Sequence, residues 1–323
     1  MKKEDLRIVF MGTPEFAVET LKALVEGGYN VVAVVTQPDK PVGRHQNEVQ
    51  PSEVKKYAVE HGLPVLQPEK MKDPAFIEQL RSFKANLQVV VAFRMLPEVV
   101  WAMPAYGTFN VHAALLPQYR GAAPINWAVI NGEKVTGVTT FFLDHDIDTG
   151  RIIMQKSFSI PDDANVEYVY DGLMHLGADI CLETLDKIIA ADGHPESVPQ
   201  DDIPAARLYN APKIFRETCE IDWKRPCRRI YDFIRGLSPY PGAWTTLMGP
   251  NGKDVELKIF RSTKTDRAVG MRPGMIVVHR GVLYIMTGDT LLQIDELQMA
   301  GKKRMTARDF LNGNKNIEDY IIK

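Results

Sequence analysis

Near-continuous apolar runs, separated by segments with helical spacing, constrain the fold of this chain more than any other feature. The strongest run is 87–93, and others lie at 6–11, 31–35, 107–111 and 137–143. Strands that are apolar on both faces belong to a parallel sheet that helices cover on both sides. The pattern therefore predicts an α/β fold with a Rossmann-like, mostly parallel sheet over the first two-thirds of the chain.

Helical spacing fills the connections between these runs. It follows Pro14, which suits the first turn of a helix, and it recurs at 51–61, 74–83 and 166–190. Active sites in such sheets lie at the carboxyl ends of the strands. Polar side chains at the end of the 107–111 run are therefore the first candidates for a functional site.

From about residue 207 the sequence pattern changes. After a helix-like segment at 227–237, short β-like runs separated by turn signals lie at 255–260, 275–278, 282–286 and 291–294. This spacing predicts a small antiparallel β-barrel of the OB-like kind. We predict three parts: an α/β domain at 1–190, a linker at 191–206 and a C-terminal barrel domain at 207–323.

Charge is distributed unevenly along the chain. Residues 1–206 carry 18 Lys and Arg against 28 Asp and Glu, whereas residues 207–323 carry 21 against 13. The basic C-terminal part favours a polyanion such as a nucleic acid as its partner. The alternative is a solvated surface that happens to be basic.

The cysteines and the apolar runs indicate the compartment. Three scattered cysteines without a C-x-x-C pair favour neither a disulfide framework nor a zinc knuckle. The charged N-terminus lacks a signal-peptide core, and no apolar run approaches the roughly 20 residues that span a bilayer. We expect a cytoplasmic protein without a membrane partner.

An amide, an imidazole and a carboxylate are expected to converge at the end of the fourth apolar run. Asn110 and His112 are two residues apart, so on a strand they project to the same face, and Asp148 lies in a turn after the next strand. Asn110 and a cationic His112 can donate to an oxyanion, while Asp148 can orient the ring and relay a proton. The three side chains suit direct transfer of an acyl group to an amine, because no serine or cysteine is placed as a nucleophile.

Each of these residues also has a structural interpretation. A lone histidine beside an apolar strand is often part of the core, and Asp148 can form an Asx-turn. A metal site at Asp144, Asp146 and Asp148 is disfavoured, because the segment lacks the glutamate of an EF-hand loop and follows a strand. We predict no metal.

Motifs in a fixed order extend over nearly the whole chain. They are Phe10-Met-Gly-Thr-Pro-Glu-Phe-Ala17, Thr36-Gln-Pro-Asp-Lys-Pro-Val-Gly-Arg44, Pro51-Ser52, Asn110-x-His112 with Leu115-Leu-Pro117, Arg120-Gly-Ala-Ala-Pro124, Asp148-Thr-Gly150, Glu220-Ile-Asp-Trp223 and Pro239-x-Pro241-Gly-Ala-Trp244. Together these motifs resemble the methionyl-tRNA formyltransferase family. The resemblance implies a formyltransferase-type sheet domain followed by a barrel domain.

The resemblance also implies an activity. The co-substrate would be 10-formyltetrahydrofolate, and the acceptor would be the free α-amine of initiator methionyl-tRNA, formylated for translation initiation. The barrel domain would help to bind the tRNA, and we expect a monomer.

Individual residues follow from the same resemblance. Asn110, His112 and Asp148 match the catalytic residues of the family. Its folate-binding positions match Phe93, Arg94, Ala114, Leu115, Leu116, Pro117 and Asp144. Lys40 and Arg44 match a loop that contacts tRNA, although this chain has His45-Gln-Asn-Glu-Val49 where the family often has further Lys and Gly.

Other functions are weighed against this one. A nucleotide-sugar or other small-amine N-formyltransferase would share the same three side chains, but the Gln37–Arg44 loop and the basic C-terminal part argue against it. A non-catalytic RNA-binding protein is disfavoured because Asn110, His112 and Asp148 are all present. A dinucleotide cofactor is disfavoured because no G-x-G-x-x-G follows the first strand.

Overall fold

The computed structural model describes residues 1–42 and 48–323, which form two compact units. The first unit comprises Met1–Gly121, Val135–Ser159 and Tyr170–Asn210, and the second comprises Ala122–Lys134, Ile160–Val169 and Ala211–Lys323. The predicted domain boundaries at 190 and 206 stay a proposal. No helix within the described ranges is long and apolar enough to cross a membrane.

The secondary structure alternates strands and helices in the first part of the chain and is mostly β in the last. The strands are β1 (Arg7–Gly12), β2 (Asn30–Val35), β3 (Lys40–Val42), β4 (Glu48–Gln50), β5 (Val65–Leu66), β6 (Leu87–Val91), β7 (Thr108–His112), β8 (Arg120–Gly121), β9 (Val135–Phe142), β10 (Ile152–Ser159), β11 (Asn210–Ala211), β12 (Ala243–Met248), β13 (Asp254–Lys264), β14 (Ile276–His279), β15 (Val282–Met286), β16 (Leu291–Met299), β17 (Met305–Thr306) and β18 (Ile321–Ile322). The α-helices are α1 (Glu15–Glu26), α2 (Glu53–Glu60), α3 (Pro74–Ser82), α4 (Glu98–Trp101), α5 (Pro124–Ile130), α6 (Val166–Ala190), α7 (Cys227–Gly236) and α8 (Ala307–Gly313).

The first unit is built on a mostly parallel sheet, as predicted. Its strand order is β10-β9-β7-β6-β1-β2-β5. β1, β2, β5, β6 and β7 are parallel, whereas β9 runs antiparallel to β7 and β10 antiparallel to β9. The central strands are buried along nearly their whole length, as their apolar sequences require. The end of β7 and the turn after β9 are the elements that carry the candidate site.

The sequence did not predict β10. Its exposure alternates, with Ile152 and Ile153 buried and the following residues partly or fully exposed. Such alternation is typical of an edge strand, and its polar residues weaken the apolar signal on which the prediction depended. β9 and β10 therefore form an antiparallel extension of the parallel sheet.

The second unit contains a nearly closed antiparallel barrel, which confirms the predicted C-terminal barrel. The strand order is β14-β15-β16-β13-β12-β18, and β17 pairs with β16. The two ends approach each other where the backbone N–H of Val278 in β14 donates to the side chain of Glu318, 2.9 Å away and just before β18. Buried side chains from the strands, α7 and α8 fill its core; they include Ile230, Ile234, Ile259, Leu292 and Phe310.

A charge cluster in the second unit makes its stability depend on pH. The carboxylate of Asp162 accepts hydrogen bonds from Lys264 and from Nη1 of Arg228, the latter at 2.6 Å. The hydrogen bond from Lys264, reinforced by Arg228 and opposed by partial burial, lowers the pKa of Asp162 from 3.8 to about 2. A carboxyl group with a lowered folded-state pKa stabilises the fold above its unfolded pKa, and this contribution is lost as the pH falls toward the folded value.

We therefore expect Asp162→Asn to be less stable than the wild type at pH 6, with the difference shrinking between about pH 4 and pH 2. Thermal unfolding of both proteins across this range measures the effect. If the difference in Tm between the wild type and Asp162→Asn stays constant down to pH 2, the ion pairs of Asp162 do not cause it.

Candidate active site

The site begins at the last residues of β7, where the parallel part of the sheet meets its antiparallel part. Asn110 pairs with Val90 of β6 on one side and with Phe141 of β9 on the other. His112, at the carboxyl end of β7, pairs with Thr139. The side chains of Asn110 and His112 project to the same face of the sheet, as their spacing requires.

His112 is held by a backbone carbonyl. Its side chain is only 6% exposed, and its Nε2 lies 2.9 Å from the carbonyl oxygen of Tyr119. Because a carbonyl only accepts, the proton of the neutral ring is fixed on Nε2, and Nδ1 is the atom that can gain or lose one. The hydrogen bond that the structure shows for this ring is made to Tyr119, and the predicted role of Asp148 in orienting the ring stays a prediction.

Asp148 lies opposite the free edge of this ring. Its Oδ2 is 3.8 Å from Nδ1 of His112 and accepts a 2.9 Å hydrogen bond from the backbone N–H of Gly121. The separation of 3.8 Å is too long for a direct hydrogen bond, but it places the carboxylate close enough to interact electrostatically with the ring when the ring is cationic. Asp148 adopts a left-handed backbone conformation with φ of 57°, which is strained for a residue with a Cβ.

Gly150 allows the turn after β9 to pass close to the strand. A Cβ on Gly150 would lie 1.6 Å from the carbonyl oxygen of Phe142, so no other residue fits without moving the backbone. Glycine is therefore required at position 150 of the Asp148-Thr-Gly150 motif for steric reasons.

Asn110 completes the group with an unsatisfied polar atom. Its Oδ1 is buried and accepts no hydrogen bond from the described part of the chain. A buried carbonyl oxygen without a donor is costly, and such atoms in native structures need an explanation. The structure thus brings Asn110, His112 and Asp148 together around the end of β7.

The segment after β7 is fixed by a buried threonine. Oγ1 of Thr139 donates to the carbonyl of Ala114 at 2.6 Å and accepts from the backbone N–H of Leu116 at 3.1 Å. The side chain of Leu116 is 2% exposed and packs with Phe141 and Ile152. Of the predicted folate positions in this segment, Ala114, Leu116 and Pro117 are buried and Leu115 is partly exposed.

The other predicted folate positions lie in two nearby loops. The guanidinium of Arg94 donates to the carbonyls of Pro68 and Glu69, so its side chain holds a neighbouring loop, and Phe93 is partly buried beside it. Oδ1 of Asp144 accepts from Thr149 at 2.7 Å and thereby closes its own turn. The side chains of Arg94 and Asp144 therefore have structural partners, although the buried Nε of Arg94 has none within the described part of the chain.

The predicted tRNA positions are only partly described. Lys40 is exposed in β3, which forms an antiparallel pair with β4. Arg44 lies outside the described residues. Lys40 is therefore placed on an exposed surface, and no geometry bears on Arg44.

Sequence reasoning missed Gln200, which lies in the segment 191–206 predicted as a linker. It is 3% exposed, and its Nε2 donates to the carbonyls of Asp148 and Gly150 at 2.8 Å each. Its neighbour Val198 exchanges two backbone hydrogen bonds of 2.8 Å with Ile152 of β10. A single glutamine in a polar, proline-containing stretch gives no periodic signal by which it could have been found.

Comparisons with known proteins identify the family of the chain. A family profile described as formyl transferase matches residues 6–185, and one described as formyl transferase, C-terminal domain, matches residues 213–315.

Within the described ranges no group of three or more His, Cys, Asp or Glu could hold a metal ion.

Solved structures with the same fold include two of low sequence identity. An N-formyltransferase from Helicobacter canadensis, in complex with folinic acid and dTDP-3-aminofucose, is 20% identical, with a TM-score of 0.63 over 93% of this chain and 100% of that chain. HypX from Aquifex aeolicus, in complex with tetrahydrofolic acid, is 18% identical, with a TM-score of 0.62 over 96% of this chain and 48% of that chain. At these identities the likeness shows the fold alone.

Curated relatives are much more similar. The methionyl-tRNA formyltransferase of Parabacteroides distasonis is 59% identical, and that of Porphyromonas gingivalis is 48% identical, each over 100% of this chain and 100% of the relative. Full-length identity at this level, together with the two matching profiles, shows that the chain belongs to the methionyl-tRNA formyltransferase family.

Proposed function

We propose that the chain transfers the formyl group of 10-formyltetrahydrofolate to the free α-amine of initiator methionyl-tRNA. The product is N-formylmethionyl-tRNA, which serves translation initiation. The observation that carries the chemistry is the separation of 3.8 Å between His112 and Asp148, on the sheet face from which Asn110 also projects with an unsatisfied oxygen. The names of the full-length relatives support the choice of acceptor.

Asn110 and His112 act on the carbonyl that is attacked. The amine nitrogen adds to the formyl carbon, and the carbonyl oxygen becomes an oxyanion. Protonated His112 donates from Nδ1 to this oxygen, since Nε2 is already engaged by Tyr119. The carboxamide of Asn110 has two ends, so its oxygen can accept from the attacking amine while its NH₂ group donates to the oxyanion.

Asp148 moves the proton. After the attack the former amine carries one proton too many, and the carboxylate of Asp148 accepts it directly or through a water molecule. The bond between the formyl carbon and N10 of the folate then breaks, and N10 receives a proton as it leaves. One C–N bond forms, one breaks and one proton passes from the acceptor to the donor, with no covalent enzyme intermediate.

The folate is bound by the loops at the same edge of the sheet. Ala92 has a left-handed backbone with φ of 47°, which turns the chain sharply after β6 and directs the backbone near Phe93 and Arg94. We propose that this backbone, the segment Ala114–Pro117 and the turn at Asp144 bind the pteridine. Slots lined by backbone hydrogen-bonding groups and apolar side chains suit such a ring.

The RNA acceptor is supported by a cavity in the second unit. The cavity has a volume of about 500 Å³ and is lined by Lys213, Arg216 and Lys258 together with Phe215, Tyr240 and Trp244. Tyr240 is 82% exposed and Phe215 is 57% exposed. Aromatic rings combined with cations are typical of surfaces that stack unpaired bases and neutralise phosphates.

We expect Tyr240→Ala to raise KM for methionyl-tRNA about fivefold to a hundredfold, because one stacking contact is lost. The matched control is Tyr240→Phe, which keeps the ring and should stay within about twofold of the wild type. Steady-state kinetics with varied tRNA measures both variants. Equal KM values for the wild type and Tyr240→Ala would remove this cavity from RNA binding.

An acceptor comparison tests the proposed function as a whole. The protein is incubated with 10-formyltetrahydrofolate and, in separate reactions, with methionyl-tRNA, free methionine and an amino-sugar nucleotide. We expect formylation of the charged tRNA only. Formylation of the amino-sugar nucleotide instead would make the chain a small-amine formyltransferase and overturn the proposal.

A further inference from the structure

We infer that Gln200 is a positioning residue for formyl transfer, acting through Asp148. The inference rests on the proposed function and deepens it. Gln200 lies in a short 3-10 helix, Gln200–Asp202, in a segment that falls between the two family matches at 6–185 and 213–315. Neither match therefore covers it.

The carboxamide of Gln200 is completely satisfied by two parts of the site. Its NH₂ group donates one hydrogen bond of 2.8 Å to the carbonyl of Asp148 and another of 2.8 Å to the carbonyl of Gly150. Its oxygen accepts from Nε and Nη2 of Arg120 at 3.0 and 2.7 Å. Two donor hydrogens and two lone pairs each have one partner, which fixes the side chain in a single orientation.

One of the hydrogen bonds of Gln200 is made to Asp148, the residue of the site with a left-handed backbone. Asp148 has φ of 57°, a conformation that costs an ordinary residue free energy and persists only where the surroundings impose it. Gln200 binds the carbonyl of Asp148 itself and the carbonyl two residues later, so it holds both sides of the turn. Without these donors, two carbonyls in a largely buried position would lose their partners.

The side chain of Gln200 also contacts β8, the strand whose backbone binds the carboxylate of Asp148. Arg120 precedes Gly121, whose N–H donates to Oδ2 of Asp148 at 2.9 Å. Arg120 also follows Tyr119, whose carbonyl accepts a hydrogen bond of 2.9 Å from Nε2 of His112. Gln200 therefore connects the turn of Asp148 with the backbone that orients both side chains of the pair.

The position of the segment that contains Gln200 does not depend on the side chain of Gln200. The backbone of Val198 is bound to Ile152 by two hydrogen bonds of 2.8 Å, which a substitution at Gln200 leaves intact. Gln200→Met keeps the volume and flexibility of the side chain but removes both donors and the acceptor. The variant thus separates the hydrogen bonds of Gln200 from the packing it provides.

A double-mutant cycle tests the inference. Gln200→Met is made in the wild type and in Asp148→Asn, and formyl transfer to methionyl-tRNA is measured with Gln79→Met, an exposed glutamine of α3, as the control. We expect Gln200→Met to lower kcat about tenfold to a hundredfold in the wild type, with KM for both substrates within about twofold. In the Asp148→Asn background the loss should fall below about threefold, because a residue that acts through Asp148 has nothing left to position.

The outcomes are distinct. Equal losses of kcat in both backgrounds, or an unchanged kcat, would overturn the inference. Gln200→Glu retains the acceptor for Arg120 but lacks both donors, and it replaces the Met variant if that protein does not fold. A wild-type protein that formylates no charged tRNA would instead refute the proposed function, which the same assay reports independently of any variant.

Discussion

His112→Ala is expected to lower kcat for formyl transfer at least about a hundredfold, the scale of removing one donor to an oxyanion. The ring is nearly buried, its Nε2 is fixed by Tyr119, and its Nδ1 faces the gap to Asp148. Alanine removes the donor. Folate binding should change little, because the proposed pteridine slot uses other residues.

The matched control for this variant is His145→Ala. His145 lies in the same turn as Asp148, but its side chain is 72% exposed and its contacts are to Glu98 and Trp101. We expect nearly normal kcat for this control, with kcat and KM for both substrates measured at one pH. Near-normal turnover of His112→Ala would exclude the ring from the mechanism.

Asp148→Asn is expected to lower kcat by about a hundredfold or more while leaving the fold intact. The amide has the shape of the carboxylate, and its oxygen can still accept from the N–H of Gly121. It cannot, however, take a proton from the amine or stabilise a cationic His112 across the gap. The variant therefore separates the charge of Asp148 from its role in holding the turn.

Asp146→Asn serves as the control, because Asp146 is exposed in the same turn and its backbone N–H donates to the side chain of Asp144. Thermal unfolding of both variants should match the wild type within about 2 °C. Turnover by Asp148→Asn equal to that of Asp146→Asn would contradict the proposed proton transfer.

The parts of the site that sequence reasoning located are those encoded by local spacing. Asn110 and His112 lie two apart on a strand, and that spacing alone places them on one face. The turn of Asp148 follows an apolar strand that has to lie in the same sheet. The sheet itself follows from apolar runs such as Leu87–Val91, which is buried at every position.

Sequence reasoning did not find the groups that orient this site. The carbonyl of Tyr119 binds His112 from a residue with φ of 60°, and a backbone carbonyl leaves no mark in the sequence. Gln200 acts from 52 residues beyond Asp148, in a stretch without periodicity. Such contacts depend on tertiary folding, which local patterns do not encode.

The prediction was also incomplete where topology matters. The sequences of β7 and β9 both predicted apolar strands, but nothing in these sequences indicated that β9 runs antiparallel to β7. The register places the last residue of β9, Phe142, opposite Phe109 near the start of β7, so the turn after β9 has to fold back before Asp148 lies 3.8 Å from His112 at the other end of β7. Neither the strand direction nor this return of the turn could be predicted from the sequence.

The most direct test is a single-turnover reaction with 10-formyltetrahydrofolate labelled in its formyl group, mixed with the protein and methionyl-tRNA. We expect the label to appear on the RNA without first appearing on the protein, and the rate to fall at least about a hundredfold in His112→Ala. Label trapped on the protein as an acyl intermediate, or transfer at the wild-type rate by His112→Ala, would contradict direct transfer at the site formed by Asn110, His112 and Asp148.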